Sequence, residues 1–456
     1  GNTTAVIYNF GKATISGGTF TQSATIPRWA YPHVVMTGYV AGESTAQPTT
    51  EIKGGTFTSK HTNGKIFHHQ GAALSSTIVV SGGTFNKSVS EFYWADGFEV
   101  KRSGSSYVAQ PRKDAQIGTA TYSTLADALE AAKDGDTIKL LHNVTIDSQL
   151  VIDKAVTINM QNFTLTSTYA IPEKPTSGAD RYAIVCNAAV KFYGQRTDKN
   201  GFIKVGQARA IGAYAALTLE KVTVTQELTG GHACVAFCAN DTTYTVINST
   251  IKGAYSVCVF ANNATVAISG STLNGTGNTL YHNGTNYGLK LTVTKTTITS
   301  SGSCGVYISG STDKQANADN QNGAGGYQQA TFTGCTISGT NGVEVKYTDL
   351  TLDNCTVKAT VETPSYKQNN DGPAASGFAV VSTDNAMNGV TPAPAGTIIV
   401  KGENGNYTGP VGLGSLASIK TDYPEFKDET VKVSGGTFSS AIPYEYCAAG
   451  YIPADK

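Results

Sequence analysis

Apolar and polar positions alternate with a period of two along short stretches of the chain, and a six-residue pattern interrupts the alternation again and again. The pattern, called a tile here, is an apolar residue, three variable residues, a threonine and another apolar residue. A period of two is typical of a strand with one buried face, so each tile predicts two short strands joined by a corner. The tiles are 15–20, 52–57, 80–85, 219–224, 246–251, 268–273, 293–298, 332–337, 352–357 and 433–438.

The third position of the tile is Gly or Asn in every tile except two, where it is Lys221 and Lys295. Gly and Asn enter the left-handed region of the backbone at low cost. We therefore expect the third residue of each tile to turn the corner in that conformation. Asn stands at 248 and 354, and Gly stands at 17, 54, 82, 270, 334 and 435.

The tiles between 219 and 357 recur at intervals of roughly one coil of a parallel β-helix. Stacked coils lie about 4.8 Å apart, so the same residue of each tile should form a column. The threonine of the tile then forms one column, and a small residue forms the column beside it. That second column contains Ser249, Ser271, Thr296, Cys335 and Cys355. The pattern predicts an all-β solenoid, whose core lengthens without thickening.

Two segments of the chain end alike, in FNKSVSEFYWADGF after the tile 80–85 and in FSSAIPYEYCAAGY after the tile 433–438. We interpret residues 1–109 as the C-terminal part of a first β-helix unit, 110–118 as a linker and 119–456 as a complete second unit. The stretch YSTLADALEAAKDGD predicts an amphipathic helix with Ser123 as its N-cap. Such a helix can cover the open end of the second stack.

The stretch STLADALEAAKDGDTIKLLHNVTIDSQLVIDKAVTINMQNFTLTS resembles the entry segment of pectate-lyase-like right-handed parallel β-helix proteins. The GGTF and ADGF endings resemble those of large cell-surface proteins of gut bacteria. The resemblance implies a right-handed coil with three sides and an extracellular location. It implies no single chemistry, because this fold carries lyases, hydrolases, adhesins and inert stalks.

Charge and composition restrict the partners. The chain has 33 basic and 33 acidic residues, and this balance argues against a nucleic-acid ligand. No run is long and apolar enough to insert into a membrane. The first residue is Gly rather than Met, so we expect a processed or trimmed piece of a longer chain. We also expect this piece to be a monomeric part of a larger surface protein. We expect no cofactor and no metal.

Eight cysteines are present, and we interpret them as buried free thiols. A disulfide is one alternative, and a metal bound through Cys234 and Cys238 is another. The metal alternative lacks ligands, because this stretch predicts a strand and only His232 lies close by in sequence.

Motifs of the active enzymes with this fold are not legible here, and the catalytic residues are unknown. Geometry offers one groove, because the insertions 309–329 and 382–396 follow equivalent strands and should flank the coil at NGVEVKYTD. Alternation places Val343 and Val345 inward and Glu344 and Lys346 on an exposed outer face. The catalytic candidates are Glu344, Lys346, Asp313 and Asp384, and the candidate ligand-binding residues are Tyr307 and Tyr347.

Two functions follow from these observations. The first is an extracellular bacterial surface module, adhesive or structural, that contacts a glycan or another host surface ligand. The alternative is a polysaccharide lyase or glycoside hydrolase with its site in the groove. Glycosidases use two carboxylates at a defined separation, and only Asp313 or Asp384 could be the partner of Glu344.

Overall fold

A computed structural model gives the fold, and its chain divides into two compact units, 1–113 and 114–456. The division falls within the predicted linker, which also contains the end of the strand Ser106–Pro111 and the strand Ala115–Ile117. The structure describes residues 3–23, 31–38, 47–70, 76–195, 201–228, 230, 232–282, 284–309, 328–346, 348–367, 369, 372–383, 397–413 and 431–454.

Unit 114–456 consists of three long sheets, named A, B and C, whose strands come from successive coils and pair in parallel. The predicted all-β parallel β-helix is therefore confirmed. Two antiparallel strands begin sheet A. Sheet A contains Ala120–Tyr122, Ala115–Ile117, Thr137–Leu140, Val156–Gln161, Val190–Gly194, Leu217–Glu220, Thr243–Ile247, Thr265–Ser269, Lys290–Thr294, Gln328–Thr333, Thr348–Asp353, Ile398–Lys401 and Val431–Val433.

Sheet B contains the second strand of each tile, and sheet C closes each coil. Sheet B contains Val144–Ile146, Thr164–Ser167, Gly201–Val205, Val222–Gln226, Thr250–Gly253, Thr272–Gly275, Thr297–Ser300, Thr336–Gly339, Thr356–Ala359, Asn406–Thr408 and Thr437–Phe438. Sheet C contains Leu150–Ile152, Tyr182–Cys186, Arg209–Ala213, Ala233–Phe237, Tyr255–Val259, Leu280–His282, Val306–Ile308, Val343–Val345, Val380–Ser382 and Val411–Leu413. Inward side chains of all three sheets form one continuous apolar core.

Helix Leu125–Ala131 precedes the first coil and packs Leu125 and Ala128 into the core. The predicted N-cap, Ser123, is wrong by one residue. Thr124 caps the helix instead, because its hydroxyl accepts from the Asp127 amide while the Asp127 carboxylate accepts from the Thr124 amide. The Lys154 ammonium donates to the Leu129 carbonyl at the other end, where a cation is favourable.

Unit 1–113 has three shorter sheets with the same parallel stacking of coils. A three-residue 3₁₀ helix, Glu91–Tyr93, follows its last tile. Its sheets contain Thr3–Asn9, Tyr31–Gly38 and Lys65–Gln70; Lys12–Ile15, Thr49–Ile52 and Thr77–Val80; and Thr19–Gln22, Thr56–Ser59, Thr84–Phe85, Ser106–Pro111 and Phe98–Ser103.

The tile corners differ from the prediction in one respect. The third residue is left-handed where it is Asn or a single Gly, and also at Lys221 and Lys295, but not in tiles with two glycines. In those tiles the fourth residue takes the positive φ, for example 107° at Gly83. Gly82 has a separate role, because a Cβ there would collide with the Lys53 carbonyl of the preceding coil. The two glycines of a pair are thus needed for different reasons, the first for a close contact with the preceding coil and the second for its positive φ.

The small-residue column is a hydrogen-bonded ladder. The Ser249 amide donates to Ser271 Oγ (3.1 Å), and the Ser271 amide donates to Thr296 Oγ1 (3.4 Å). Each hydroxyl also donates to the carbonyl two residues earlier, at 2.8 Å for Ser271. Cys335 continues the column, where its thiol donates to the Thr333 carbonyl at 3.5 Å. The column therefore satisfies buried backbone groups at these corners.

Candidate functional site

The predicted groove lies on sheet C. Strands Val306–Ile308, Val343–Val345 and Val380–Ser382 are direct neighbours, so the two insertions do follow equivalent strands. Most of each insertion, with Asp313 and Asp384, lies outside the described residues, as does Tyr347. The structure therefore gives the positions of Glu344, Lys346 and Tyr307 among the predicted site residues.

The alternation correctly predicts which side chains of residues 343–346 point inward and which point outward, but it does not predict how exposed the outward ones are. Val343 and Val345 pack in the core, and Glu344 stands in the outer column of sheet C between Tyr307 and Val381. The prediction that Glu344 and Lys346 are exposed is wrong, because both are 0% exposed. A hairpin folds over them and removes them from solvent.

This covering hairpin consists of the strands Ser365–Tyr366 and Ala375–Ser376 and the described residues between them. The two strands pair antiparallel, and the Lys367 amide extends the pairing by donating to the Ala374 carbonyl at 2.7 Å. The sequence reasoning did not identify it. The NNDGP stretch at 369–373 is a turn signal that could have revealed it.

Glu344 holds the returning strand of the covering hairpin. Its Oε1 accepts from the Ala374 amide (2.6 Å) and the Thr383 hydroxyl (3.0 Å). Its Oε2 accepts from the Ala375 amide (3.2 Å) and Asn341 Nδ2 (2.8 Å). Each oxygen thus has two donors, the arrangement expected around a structural carboxylate.

Burial raises the pKa of Glu344, while the Ala374 amide and the Lys346 charge act in the opposite direction. A raised carboxyl pKa inside a fold can mark a general acid. Here the four donors occupy the same lone pairs that a substrate would need. Cys304, whose thiol lies 3.8 Å from Glu344 Oε2, is also buried, and burial raises its pKa well above the ordinary value.

Lys346 holds the turn of the same hairpin. Its ammonium donates to the carbonyls of Asn369 (2.8 Å) and Gly372 (2.9 Å). It also lies 5.6 Å from the centre of the Tyr307 ring, within the range of a cation–π contact. Tyr307 is itself only 2% exposed, so its ring packs as part of this arrangement, and its ligand-binding role stays a prediction.

Beyond Tyr307, aromatic rings continue along the outer face of sheet C towards the N-terminal coils. Tyr281 stacks on Tyr307 with 5.7 Å between ring centres, and Tyr255 and Phe260 lie 5.6 and 6.0 Å from Tyr281. Tyr255, Phe260 and Tyr281 are half-buried, so part of each ring faces solvent. Flat aromatic surfaces of this kind suit ligands with apolar faces.

A cationic cluster continues the row on strand Arg209–Ala213. The Arg209 guanidinium lies 5.6 Å from the Tyr182 ring centre and donates to the Tyr182 hydroxyl at 3.4 Å. Its second terminal nitrogen lies 3.4 Å from His232 Nδ1. Burial lowers the pKa of His232, and the positive charges of Arg209 and Arg181 lower it further. Both effects favour the neutral form of the His232 imidazole. The sequence reasoning missed this cluster, since its members are far apart along the chain.

The cysteines are all free thiols, so the disulfide alternative is not seen. Cys234 points into the core, whereas Cys238 lies with the outer aromatic residues. Within the described ranges, no group of three or more His, Cys, Asp and Glu side chains could hold a metal ion.

No helix in the described part of the chain is long and apolar enough to span a membrane. No protein-family model, no curated protein and no solved structure matches the chain.

Proposed function

We propose that the chain is an extracellular bacterial surface module that acts as an adhesive or structural rod and contacts glycans. The observation that carries the proposal is the use of Glu344, the leading catalytic candidate, as a four-donor anchor for the covering hairpin. A carboxylate in that role contributes to stability and has no free lone pair for a substrate. The pectate-lyase-like resemblance and the bacterial surface location belong to this proposal.

The glycan surface in this proposal is the outer face of sheet C from Arg209 to Tyr281. Sugar rings stack on aromatic side chains through their apolar faces, and Tyr255, Phe260 and Tyr281 offer such faces in a row. Arg209 adds a donor group suited to a carboxylate. The preferred ligand in the proposal is therefore an acidic polysaccharide that lies along the stack of coils.

A panel of pectins, mucin glycans and bacterial polysaccharides tests the proposal in two assays, binding and release of new reducing ends. We expect binding without release. Tyr281→Ala should weaken binding by up to about tenfold, the size of a lost aromatic contact. Tyr444→Ala is the matched control, because Tyr444 is an exposed tyrosine outside sheet C.

Release of reducing ends that disappears in Glu344→Gln would establish the enzymatic alternative and reject the proposal. Equal binding by the parent and Tyr281→Ala would reject the aromatic row as the glycan surface.

A further inference from the structure

The loop 168–181, called the crossing loop here, lies over the outer face of sheet C and leads into strand Tyr182–Cys186. It ends in the 3₁₀ turn Ala179–Arg181. A Cβ at Gly178 would lie 3.5 Å from the Tyr214 hydroxyl, and Tyr214 follows the C-terminal end of the next strand of sheet C. The crossing loop therefore reaches from one end of the strands to the other.

Hydrogen bonds hold the crossing loop in this position. Gln149 Nε2 donates to the Ala179 carbonyl at 2.9 Å. The Asp180 carboxylate accepts four hydrogen bonds, from the amide and the hydroxyl of both Thr176 and Ser177, at 2.6 to 3.0 Å. The negative charge of Asp180 is thus used inside the loop.

The outer column of sheet C shows where the covered part ends. Val185 packs with Ala179 of the crossing loop and is only 2% exposed, and Tyr307 in the same column is again only 2% exposed. The outer residues between them, in register, are Gly212, Ala236, Cys258 and Tyr281. Four strands at a spacing of about 4.8 Å span about 14 Å. The surface with the half-buried aromatic rings is therefore bounded at both ends.

A cation without a counterion stands at the N-terminal end of this bounded surface. Arg209 is half-buried, and no ion pair among the described residues includes it. Its terminal nitrogens contact the Tyr182 hydroxyl and His232 Nδ1 at 3.4 Å, and neither group supplies a negative charge. Its Nε has no hydrogen-bond partner among the described residues. Removing a cation from water without an opposite charge is costly, so this position favours an anionic ligand.

We infer that the bounded surface binds the end of an acidic glycan chain, with the carboxylate of the terminal sugar on Arg209 and the next sugars on Tyr255, Phe260 and Tyr281. The planar guanidinium matches a carboxylate. The inference rests on the proposed glycan function and restricts it. A chain that continued past Arg209 along the sheet would meet the crossing loop, so the interior of a long chain fits poorly.

The number of proteins bound to each glycan chain tests the inference. The probes are size-fractionated polygalacturonate and polysialic acid, which carry a carboxylate on every sugar, and sedimentation of their mixtures with the full chain gives the number. We expect one protein on each chain of at least one probe, whatever the chain length, because the two ends of a linear glycan differ. Several proteins on one long chain would overturn the inference and leave the proposed function standing.

The contact with Arg209 is tested with tri-galacturonate and its methyl ester, or with the matching trisaccharide and ester of sialic acid if polysialic acid is the polymer that binds. The parent should bind the acid at least about tenfold more tightly than the ester, the size of a lost charge-assisted hydrogen bond. Arg209→Gln should remove this preference. Arg102→Gln, at an exposed arginine of unit 1–113, is the matched control and should keep it.

Equal binding of acid and ester by the parent would overturn the inference without any substitution. A preference that survives in Arg209→Gln would overturn it as well. If neither polymer binds but another glycan of the panel does, the inference is wrong and the proposed glycan function stands. If no glycan binds at all, both are rejected.

Discussion

At the scale of the residue, the corner of each coil tolerates side chains that the left-handed backbone disfavours. Lys221 and Lys295 have φ of 54° and 47°, in a region where a non-glycine residue is strained by about 1 kcal/mol. Neighbouring coils put Asn248 and Gly270 at the same corner, where the strain is smaller. The pairing with neighbouring coils therefore determines the left-handed backbone conformation at the corner, whichever residue stands there.

Lys295→Gly should therefore stabilise the protein. Glycine relieves the strain at this position, and we expect the free energy of unfolding to rise by about 1 kcal/mol. Lys290→Gly, in the extended strand before the corner, should lower it by roughly 0.5–1 kcal/mol. Thermal melting of both variants measures the effect. A lower melting temperature for Lys295→Gly would refute the strain argument.

At the scale of the element, each strand of sheet B depends on the coil before it. The Thr297 amide donates to the Ser271 carbonyl at 3.0 Å, and the next side chain, Ile298, is fully buried. The tile threonines at 250, 272, 297, 336 and 356 lie in register, as the tile spacing predicts. The register continues with Asn406 in place of threonine.

Thr297→Pro should break this register. Proline removes the amide that donates to the Ser271 carbonyl and clashes in the middle of a sheet. Leaving that buried carbonyl without its donor should by itself lower the free energy of unfolding by about 1–3 kcal/mol. Thr297→Val keeps the amide and a β-branched side chain and serves as the control. Calorimetry should show a lower melting temperature for the proline variant alone. Equal melting of the two variants would contradict the stacked-coil account of this position.

The covering hairpin is a second element with a defined attachment. Lys346→Met removes both hydrogen bonds to its turn, at Asn369 and Gly372, while keeping most of the side-chain volume. We expect faster hydrogen exchange at residues 365–376 with little change in global melting, because the three sheets keep their own pairing. Lys358→Met, at an exposed lysine of sheet B, should leave exchange in the hairpin unchanged. Unchanged protection in Lys346→Met would mean that the lysine does not hold the turn.

Structural features that recur in every coil could be predicted from the sequence, whereas features that occur only once could not. The threonine column, the serine and cysteine ladder and the direction of Glu344 all follow from local spacing and alternation. The cover over Glu344 depends on its bond to Ala374, which is 30 residues away and belongs to no repeat. Alternation tells which face a side chain occupies, but whether that face meets water depends on segments outside the pattern. The contact between Arg209 and His232 was missed for the same reason, because it joins residues that are far apart along the chain and belong to no repeat.

At the scale of the whole molecule, a buried histidine stands in the inward column of sheet C in unit 114–456, between two apolar neighbours. His282 is 1% exposed, its neighbours in that column are Val259 and Ile308, and its Nδ1 contacts the Ser309 carbonyl. Burial lowers the pKa of His282 to about 4. The folded state therefore favours the neutral imidazole.

This group should make stability depend on pH. Above pH 6.5 the imidazole is neutral in both the folded and the unfolded state, so protonation of His282 does not reduce the free energy of unfolding. As pH falls from 6.5 to 4, the His282 imidazole binds a proton in the unfolded chain but not in the folded chain. The free energy of unfolding should therefore fall by roughly 3 kcal/mol. Denaturant melts of the parent and His282→Asn across this range isolate the effect, since asparagine keeps a donor for Ser309 but does not titrate. Parallel pH profiles of the two proteins would exclude His282 as the source.

The serine and cysteine ladder has a consequence for how such a chain can change in length. The buried amides of Ser249 and Ser271 donate to the hydroxyl one coil ahead. Further along the same column, the thiols of Cys335 and Cys355 donate to the carbonyl two residues earlier. A whole coil can therefore be duplicated or lost without leaving an orphaned amide in the interior. The length of the solenoid along its axis is thus adjustable in steps of one coil.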